Sequence, residues 1–194
     1  AQSIMLSKIW SYKYQVVGKD EKGNDILSFE IDGRGNDIRP TLESTPEWIK
    51  KDLSDANGYY LAPFEFYFEE GENTITLESI REPVIIREIV LHPQETTISY
   101  ADYIKNHADK NVSDDATIYV EAEAPNKVSS VTMYPVYDRT SSITHGLTGP
   151  QSAQVTKYNT FGKEQWQVVG EWASYEIEVE EEGFYNIVLR YKQD

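Results

Sequence analysis

The fold class of this chain is decided by the stretch Pro63-Phe64-Glu65-Phe66-Tyr67-Phe68 and by the segment after it. Its three phenylalanines alternate with other residues, and alternate residues of an extended strand lie on one face. The run Thr74-Ile75-Thr76-Leu77 repeats the alternation beyond the turn Glu69-Glu70-Gly71-Glu72-Asn73, whose glycine can adopt a positive φ. The two runs therefore predict a β-hairpin.

A second hairpin is predicted towards the other end of the sequence. Tyr175, Ile177 and Val179 alternate with polar residues, and an acidic turn with a glycine, 180–183, leads into the apolar run 184–191. The pattern predicts further strands at 26–31, 84–91 and 117–123. The 14 Tyr, 6 Phe and 4 Trp fit this interpretation, because aromatic residues suit half-buried pleated surfaces.

Helix signals are few and short. Thr45-Pro46-Glu47 predicts one or two helical turns that end near Ser54. Ser99 can cap a second helix, with Asp102 in its first turn, that ends near His107. The sequence therefore predicts an all-β protein, an antiparallel β-sandwich with one or two short helices.

Composition and charge restrict the partners. The chain has 194 residues with 33 acidic and 18 basic side chains, and its formal charge of −15 would repel both nucleic acid and an anionic lipid surface. It has no cysteine, which excludes disulfides and thiolate chemistry. No run approaches the roughly 18 apolar residues of a membrane span, so we expect no membrane insertion by this chain. Any export signal is expected upstream of Ala1.

The chain is predicted to contain two β segments. The polar stretch 106–115 separates residues 1–98 from 116–194, with 99–115 as a helical and polar connector. Residues 190–194 read as a strand without a following turn, so the chain is expected to hold the late half of one sandwich and the early half of the next. Either the halves form one composite sandwich, which we favour, or each recruits its missing half in a domain-swapped homodimer.

A family resemblance supports this organisation. Ile118-Tyr119-Val120-Glu121-Ala122-Glu123, together with 166–179 and 183–185, resembles the opening of a galactose-binding-like carbohydrate-binding module, a jelly-roll sandwich. A more specific resemblance is to the sandwich domains attached to extracellular solute-binding proteins of bacterial ABC sugar importers. It is carried by the segments 46–48, 55–59, 71–77, 81–83 and 134–142.

The resemblance implies an extracellular or cell-surface location and a glycan or oligosaccharide as partner. In such modules a segment like 116–194 supplies the first strands and a segment like 1–98 the last ones, so the order here is reversed. The resemblance also implies a structural calcium at Glu121 and Glu123, whose carboxylates are hard ligands on alternate residues of one strand. The alternative is that both are exposed strand residues.

Sugar binding needs an aromatic ring for the apolar face of a pyranose and a few polar groups for its hydroxyls. Two loop clusters are candidates for this ligand-binding site: Tyr134, Tyr137, Asp138 and Arg139, and Tyr158, Asn159 and Trp166. Asp138 and Arg139 could instead form a structural ion pair, and Trp172 is expected to pack in or near the core. Trp10, Tyr12 and Tyr14 could form a surface platform or pack inward.

Catalytic signals are weak. The three histidines, His92, His107 and His145, lie far apart in the sequence and none accompanies a nucleophile motif. Gly33-Arg34-Gly35 lacks the remaining glycine of a dinucleotide fingerprint, and solvated turns account for the acidic pairs. We therefore expect a non-catalytic glycan-binding module. A structural spacer sandwich is the alternative, and a glycoside hydrolase fragment is third.

Overall fold

The computed structural model describes residues 2–60, 62–81, 83–93, 98–110, 117–138 and 155–192. Within these ranges the chain forms antiparallel sheets with few helical residues, which confirms the expected β class. The strands are β1 (Trp10–Lys13), β2 (Gln15–Lys19), β3 (Asp25–Ser28), β4 (Glu30–Ile31), β5 (Asp37–Ile38), β6 (Thr41–Ser44), β7 (Lys127–Val128), β8 (Pro135–Val136), β9 (Thr160–Phe161) and β10 (Ala173–Ser174). The helices are α1 (Tyr100–Asn106) and a single 3₁₀ turn (Lys163–Gln165).

Four strands make the largest sheet, in the order β10-β7-β1-β6. Tyr12 of β1 lies opposite Leu42 of β6, and Trp10 lies opposite Val128 of β7. Val128 is in turn opposite Ala173 of β10. The pairing of β1 with β7 thus places residues from the two ends of the chain in one sheet.

The core lies against this sheet. Tyr12, Val128 and Met133 are buried together, and the half-buried side chains packed around them are Trp10, Tyr14, Leu42, Phe161 and Ala173. The three alternating aromatics of the β1 region therefore pack inward, and the surface-platform interpretation is wrong.

Tyrosine hydroxyls attach the segment before and after β7 to the sheet. Tyr14 donates to the carbonyl of Pro125 at 2.9 Å, and Tyr175 donates to that of Ala122 at 2.8 Å. Tyr12 donates to the carbonyl of Met133. Burial raises the pKa of Tyr12 and Tyr14 well above the usual value, and burial together with the nearby charge of Glu123 raises the pKa of Tyr175 to about 12.

Two small hairpins follow β1. β2 pairs with β3 around residues 20–24, and β4 pairs with β5 around residues 32–36. In each turn the first aspartate, Asp20 or Asp32, accepts hydrogen bonds from the backbone amides two and four positions later. The glycine three positions after it has a positive φ, 88° for Gly23 and 86° for Gly35. A side chain at either position would strain the backbone, because L residues rarely adopt that region.

Several predicted strands are absent from the described structure. Residues 26–31 do contain most of β3 and all of β4. The predicted strands at 63–68, 74–77, 84–91, 117–123, 175–179 and 184–191 form no strand, and only an isolated bridge occurs at Phe184. The turn at 69–73 does form, with Gly71 at a φ of 111°. A strand needs a hydrogen-bonded neighbour as well as an alternating pattern. Many apolar side chains in these segments are exposed, such as Ile187 at 91%.

One of the two predicted helices is present. α1 begins after Ser99, whose hydroxyl accepts the amide of Asp102 at 3.2 Å, and ends at His107, as the capping pattern predicts. The helical turns predicted between Thr45 and Ser54 are wrong, since these residues form no helix. No helix in the described ranges has both the length and the apolar character that a bilayer crossing requires.

Candidate functional site

A cleft lies beside the four-stranded sheet. Its volume is about 400 Å³, and it is open to solvent on one side. The residues that line it are Ser7, Ile9, Glu47, Trp48, Ile49, Lys50, Lys51 and Trp172. Two tryptophans and four charged or hydroxyl side chains therefore face one concavity, the combination that binding sites for small polar ligands commonly show.

The two edge strands of the four-stranded sheet, β10 and β6, hold the two sides of the cleft. Trp172 immediately precedes β10, and its amide donates to the hydroxyl of Ser129 at 2.8 Å, next to β7. Trp48 follows β6, and the amide of Thr45 donates to the carbonyl of Ile9 at 2.9 Å. Ile9 is buried, whereas Trp48 is 65% exposed. The cleft thus has a fixed apolar base and an exposed indole ring.

Ionic contacts fix part of its polar rim. Glu47 accepts the ammonium group of Lys127 at 2.7 Å, and this hydrogen bond raises the pKa of Lys127. The ammonium group of Lys51 donates to the carbonyl of Met5 at 3.0 Å. Both contacts are partly exposed, so they position side chains more than they stabilise the fold.

The structure brings the two predicted loop clusters together. β8 pairs with β9, and the amide of Asp138 donates to the side-chain oxygen of Asn159 at 2.8 Å. The side-chain nitrogen of Asn159 donates to the carbonyl of Asp138 at 3.2 Å. Asn159 therefore braces the backbone beyond the short β8–β9 ladder.

The aromatic members of these clusters differ in access. Tyr158 is buried, with its ring centroid 5.3 Å from that of Phe29. The guanidinium group of Arg39 lies 3.6 Å from the centroid of the half-buried Tyr134 ring, a cation–π contact. Tyr137 and Trp166 are exposed, although Trp166 also packs edge-on against Phe161 at 5.7 Å.

Asp138 is buried and forms an ion pair with Lys192, with 3.0 Å between the carboxylate oxygen and the ammonium nitrogen. This contact ties the segment after β10 to the end of β8. The Asp138–Arg139 ion pair suggested by the sequence stays a prediction, because Arg139 lies outside the described residues. A buried carboxylate engaged in this way has less freedom to bind a sugar hydroxyl.

The proposed calcium ligands lie apart from the cleft lining. Glu123 is buried and Glu121 half-buried, and residues 122–123 form a turn where a strand was expected. In the described part of the chain, no three acidic or histidine side chains come together as a metal-binding group. Two carboxylates supply at most about four of the roughly six to eight oxygen ligands that calcium takes.

Sequence reasoning assigned Trp48 only to the family resemblance and placed Trp172 near the core. A usable signal was the position of Trp48 in a segment without period-2 alternation, beside Glu47, Lys50 and Lys51. A large apolar side chain among charged residues in a non-strand segment is a candidate for exposure. The proximity of Trp172 could not be inferred, since it depends on strand pairing across the chain.

Comparison with protein-family models, curated proteins and solved structures finds no match for this chain. The arrangement of its own side chains is therefore the basis for the functional argument.

Proposed function

We propose that this protein is a non-catalytic, extracellular carbohydrate-binding module of a bacterial surface or sugar-uptake protein. The observation that carries the proposal is the cleft of about 400 Å³ in which Trp48 and Trp172 accompany lysine, glutamate and serine side chains. An indole ring can stack on the apolar face of a pyranose, while neighbouring polar groups bind its hydroxyls. The family resemblance of the sequence points to the same class of ligand and to the extracellular location.

A glycan-array screen of the soluble chain tests the proposal, followed by titration of each binding sugar with tryptophan fluorescence as the readout. We expect Trp48→Ala to weaken binding at least about tenfold, equivalent to about 1.4 kcal/mol. Tyr67→Ala is the matched control, because Tyr67 is 90% exposed and lies outside the cleft lining.

Two further variants separate the cleft from the loop clusters. If Tyr137→Ala or Trp166→Ala abolishes binding and Trp48→Ala does not, the sugar binds at the loop clusters and the cleft assignment is wrong. A folded chain that binds no glycan with or without calcium contradicts the binding function itself. Calcium at Glu121 and Glu123 is tested in the same series, by calorimetric titration of the wild type and of Glu121→Gln.

A structural spacer is the second candidate function. It is favoured by the burial of Tyr158, the Arg39 contact on Tyr134 and the engagement of Asp138 by Lys192. These contacts use three of the predicted sugar-binding side chains for internal packing. A spacer requires no ligand, so a glycan screen in which no sugar binds would support this function.

We also propose that the complete architecture is a jelly-roll sandwich that a second copy of the chain finishes by exchange of strands, in place of the composite sandwich that the sequence favoured. The chain exposes 16427 Å², whereas a compact monomer of its mass exposes about 9,400 Å². Exposed apolar residues concentrate in three segments that were predicted as strands, 74–77, 84–91 and 184–191. The excess far exceeds the roughly 800 Å² that each partner buries in a standard interface.

Size-exclusion chromatography with light scattering tests this exchange. We expect a dimer, with amides of 74–91 and 184–191 protected from hydrogen exchange. A monomer with the same protection would instead indicate the composite sandwich, in which the two segments pair within one chain. Val188→Lys should shift a dimer towards monomer, whereas Glu65→Lys, a control at an exposed position that is already polar, should not.

A further inference from the structure

The charges around the cleft are opposite in sign to those of the whole chain. The protein has 33 acidic and 18 basic residues, yet its cleft is lined by Lys50 and Lys51 and by one acidic residue, Glu47. Glu47 is already paired with Lys127. The rim of the cleft is therefore a positive region on a strongly negative molecule.

The two lysines that remain are available to a ligand. Lys51 donates to a neutral carbonyl, which leaves its charge uncompensated. Within the described part of the chain, Lys50 and Lys51 form no ion pair with a carboxylate. Both ammonium groups belong to residues adjacent in sequence and open to solvent.

Nearby acidic residues are engaged elsewhere. Asp52, next to Lys51 in the sequence, lies 3.0 Å from the Nε2 atom of His92. Glu171, next to Trp172, accepts the amide of Val168 at 3.2 Å. Neither carboxylate is among the groups that line the cleft. The charge at the cleft lining itself therefore comes from Lys50 and Lys51, because Glu47 is paired with Lys127.

We propose that the cleft selects an anionic carbohydrate, a sugar that bears a carboxylate or sulfate group. This inference rests on the proposed carbohydrate-binding function and adds the ligand class. The indole of Trp48 contacts the sugar ring, and the ammonium groups of Lys50 and Lys51 bind the anionic substituent through charge-assisted hydrogen bonds. A negative chain repels such ligands at long range, and a local positive rim offsets this repulsion where the anionic ligand binds.

The test compares two ligands that differ only in charge. Oligogalacturonic acid and its fully methyl-esterified form are titrated into the full chain, with a sulfated oligosaccharide as a second anionic probe. We expect the free acid to bind about tenfold more tightly than the ester, and the sulfated probe reports whether sulfate can replace carboxylate. Raising sodium chloride from about 50 to about 500 mM should weaken binding of the acid and leave that of the ester nearly unchanged.

Lysine variants locate the effect. Lys50→Gln and Lys51→Gln should each reduce the ratio of acid affinity to ester affinity about threefold or more. Lys105→Gln, an exposed lysine of α1, is the matched control and should change neither. Thermal unfolding of each variant verifies that the fold is retained. In the described part of the chain the ammonium group of Lys50 makes no hydrogen bond to the cleft's framework, so Lys50→Gln tests charge alone.

The outcomes separate the two proposals. Equal affinity for acid and ester overturns the anionic preference and leaves carbohydrate binding intact. A preference that survives both lysine substitutions also overturns it, because the anion is then recognised elsewhere. Absence of binding to these probes and to every neutral glycan overturns the carbohydrate-binding function and the preference with it.

Discussion

The turns of the two small hairpins have the same sequence pattern and geometry but different surroundings. Asp20-Glu21-Lys22-Gly23-Asn24-Asp25-Ile26 and Asp32-Gly33-Arg34-Gly35-Asn36-Asp37-Ile38 match at five of seven positions and at a basic third position, twelve residues apart. In each turn, the side-chain nitrogen of the asparagine donates to the first aspartate, at 3.0 and 2.8 Å. The repeated sequence therefore builds the same turn twice.

The difference lies in what each turn contacts. The second turn is attached to the segment before β9: the oxygen of the Asn36 side chain accepts the amide of Thr156, and the carboxylate of Asp37 accepts Lys157 and the amide of Tyr158. The first turn reaches the rest of the chain through exposed ion pairs of Lys22 with Glu178 and Glu180. Local sequence determines the turn, and its energetic value depends on what the fold brings against it.

The largest difference in the free energy of unfolding is expected between substitutions of Asp25 and Asp37, the second aspartate of each turn. The side chain of Asp37 is 8% exposed, and Asp37→Ala would leave the amide of Tyr158 and the ammonium group of Lys157 without their acceptor. We expect a loss of about 2–3 kcal/mol in the free energy of unfolding. Asp25 is 50% exposed and pairs with Lys19, so Asp25→Ala should cost less than about 1 kcal/mol.

Chemical denaturation of the two variants measures this difference, with the wild type in parallel. Equal losses would mean that the contacts of Asp37 with residues 157 and 158 add nothing to its stability contribution.

The asparagines should differ less. Asn36→Ala removes an acceptor for the amide of Thr156 in addition to the bond within the turn, so we expect a cost of about 1–2 kcal/mol. Asn24→Ala removes only the bond within the turn, at an exposed site, and should cost about half as much. Thermal unfolding compares the pair, and a larger shift for Asn24→Ala would contradict the assignment of the second turn as the attached one.

The glycines should show no difference. Gly23 and Gly35 have nearly the same positive φ, and a methyl group at either position meets no steric obstacle, with Val155 3.8 Å away at Gly35 and no atom within 4 Å at Gly23. Alanine at each should cost about 1 kcal/mol from backbone strain alone. Denaturation midpoints of the two variants test this. An excess loss for Gly35→Ala would reveal a packing contribution that the turn geometry does not account for.

The same contrast explains how much could be predicted from the sequence. Short-range features were within reach: the β class, the Ser99 cap of α1 and the turn with Gly71 depend on residues a few positions apart. The repeat of 20–26 at 32–38 was also visible in the sequence, although Gly33-Arg34-Gly35 was considered only as an incomplete nucleotide-binding motif. The strands predicted at 74–77 and 184–191 failed because alternation defines a face without supplying a partner.

The functional cleft was out of reach for the same reason. Trp48 and Trp172 are 124 positions apart, and only the pairing of β1 with β6 and β7, and of β7 with β10, brings their segments together. The two clusters predicted around Tyr134 and Tyr158 lie close together in the described structure, through the pairing of β8 with β9. The burial of Tyr158 and Asp138, and the contacts that Arg39 and Lys192 make with these clusters, could not be predicted from the spacing of residues in the sequence.

The smallest effect concerns pH and should again be equal in the two turns. The hydrogen bond from the side chain of Asn24 lowers the pKa of Asp20, and that from Asn36 lowers the pKa of Asp32, with the turn amides adding to both. A carboxylate whose pKa is lower in the folded state stabilises the fold above its unfolded pKa, near 3.9. This contribution is lost as pH falls through the folded value, so both hairpins should weaken below about pH 4. NMR titration of the two carboxyl groups, with Asp20→Asn and Asp32→Asn as controls, should give similar shifts. A markedly lower pKa for Asp32 than for Asp20 would show that the contacts of residues 156–158 shorten the hydrogen bonds within the second turn. The two turns would then differ in their own backbone geometry as well as in the contacts of their side chains.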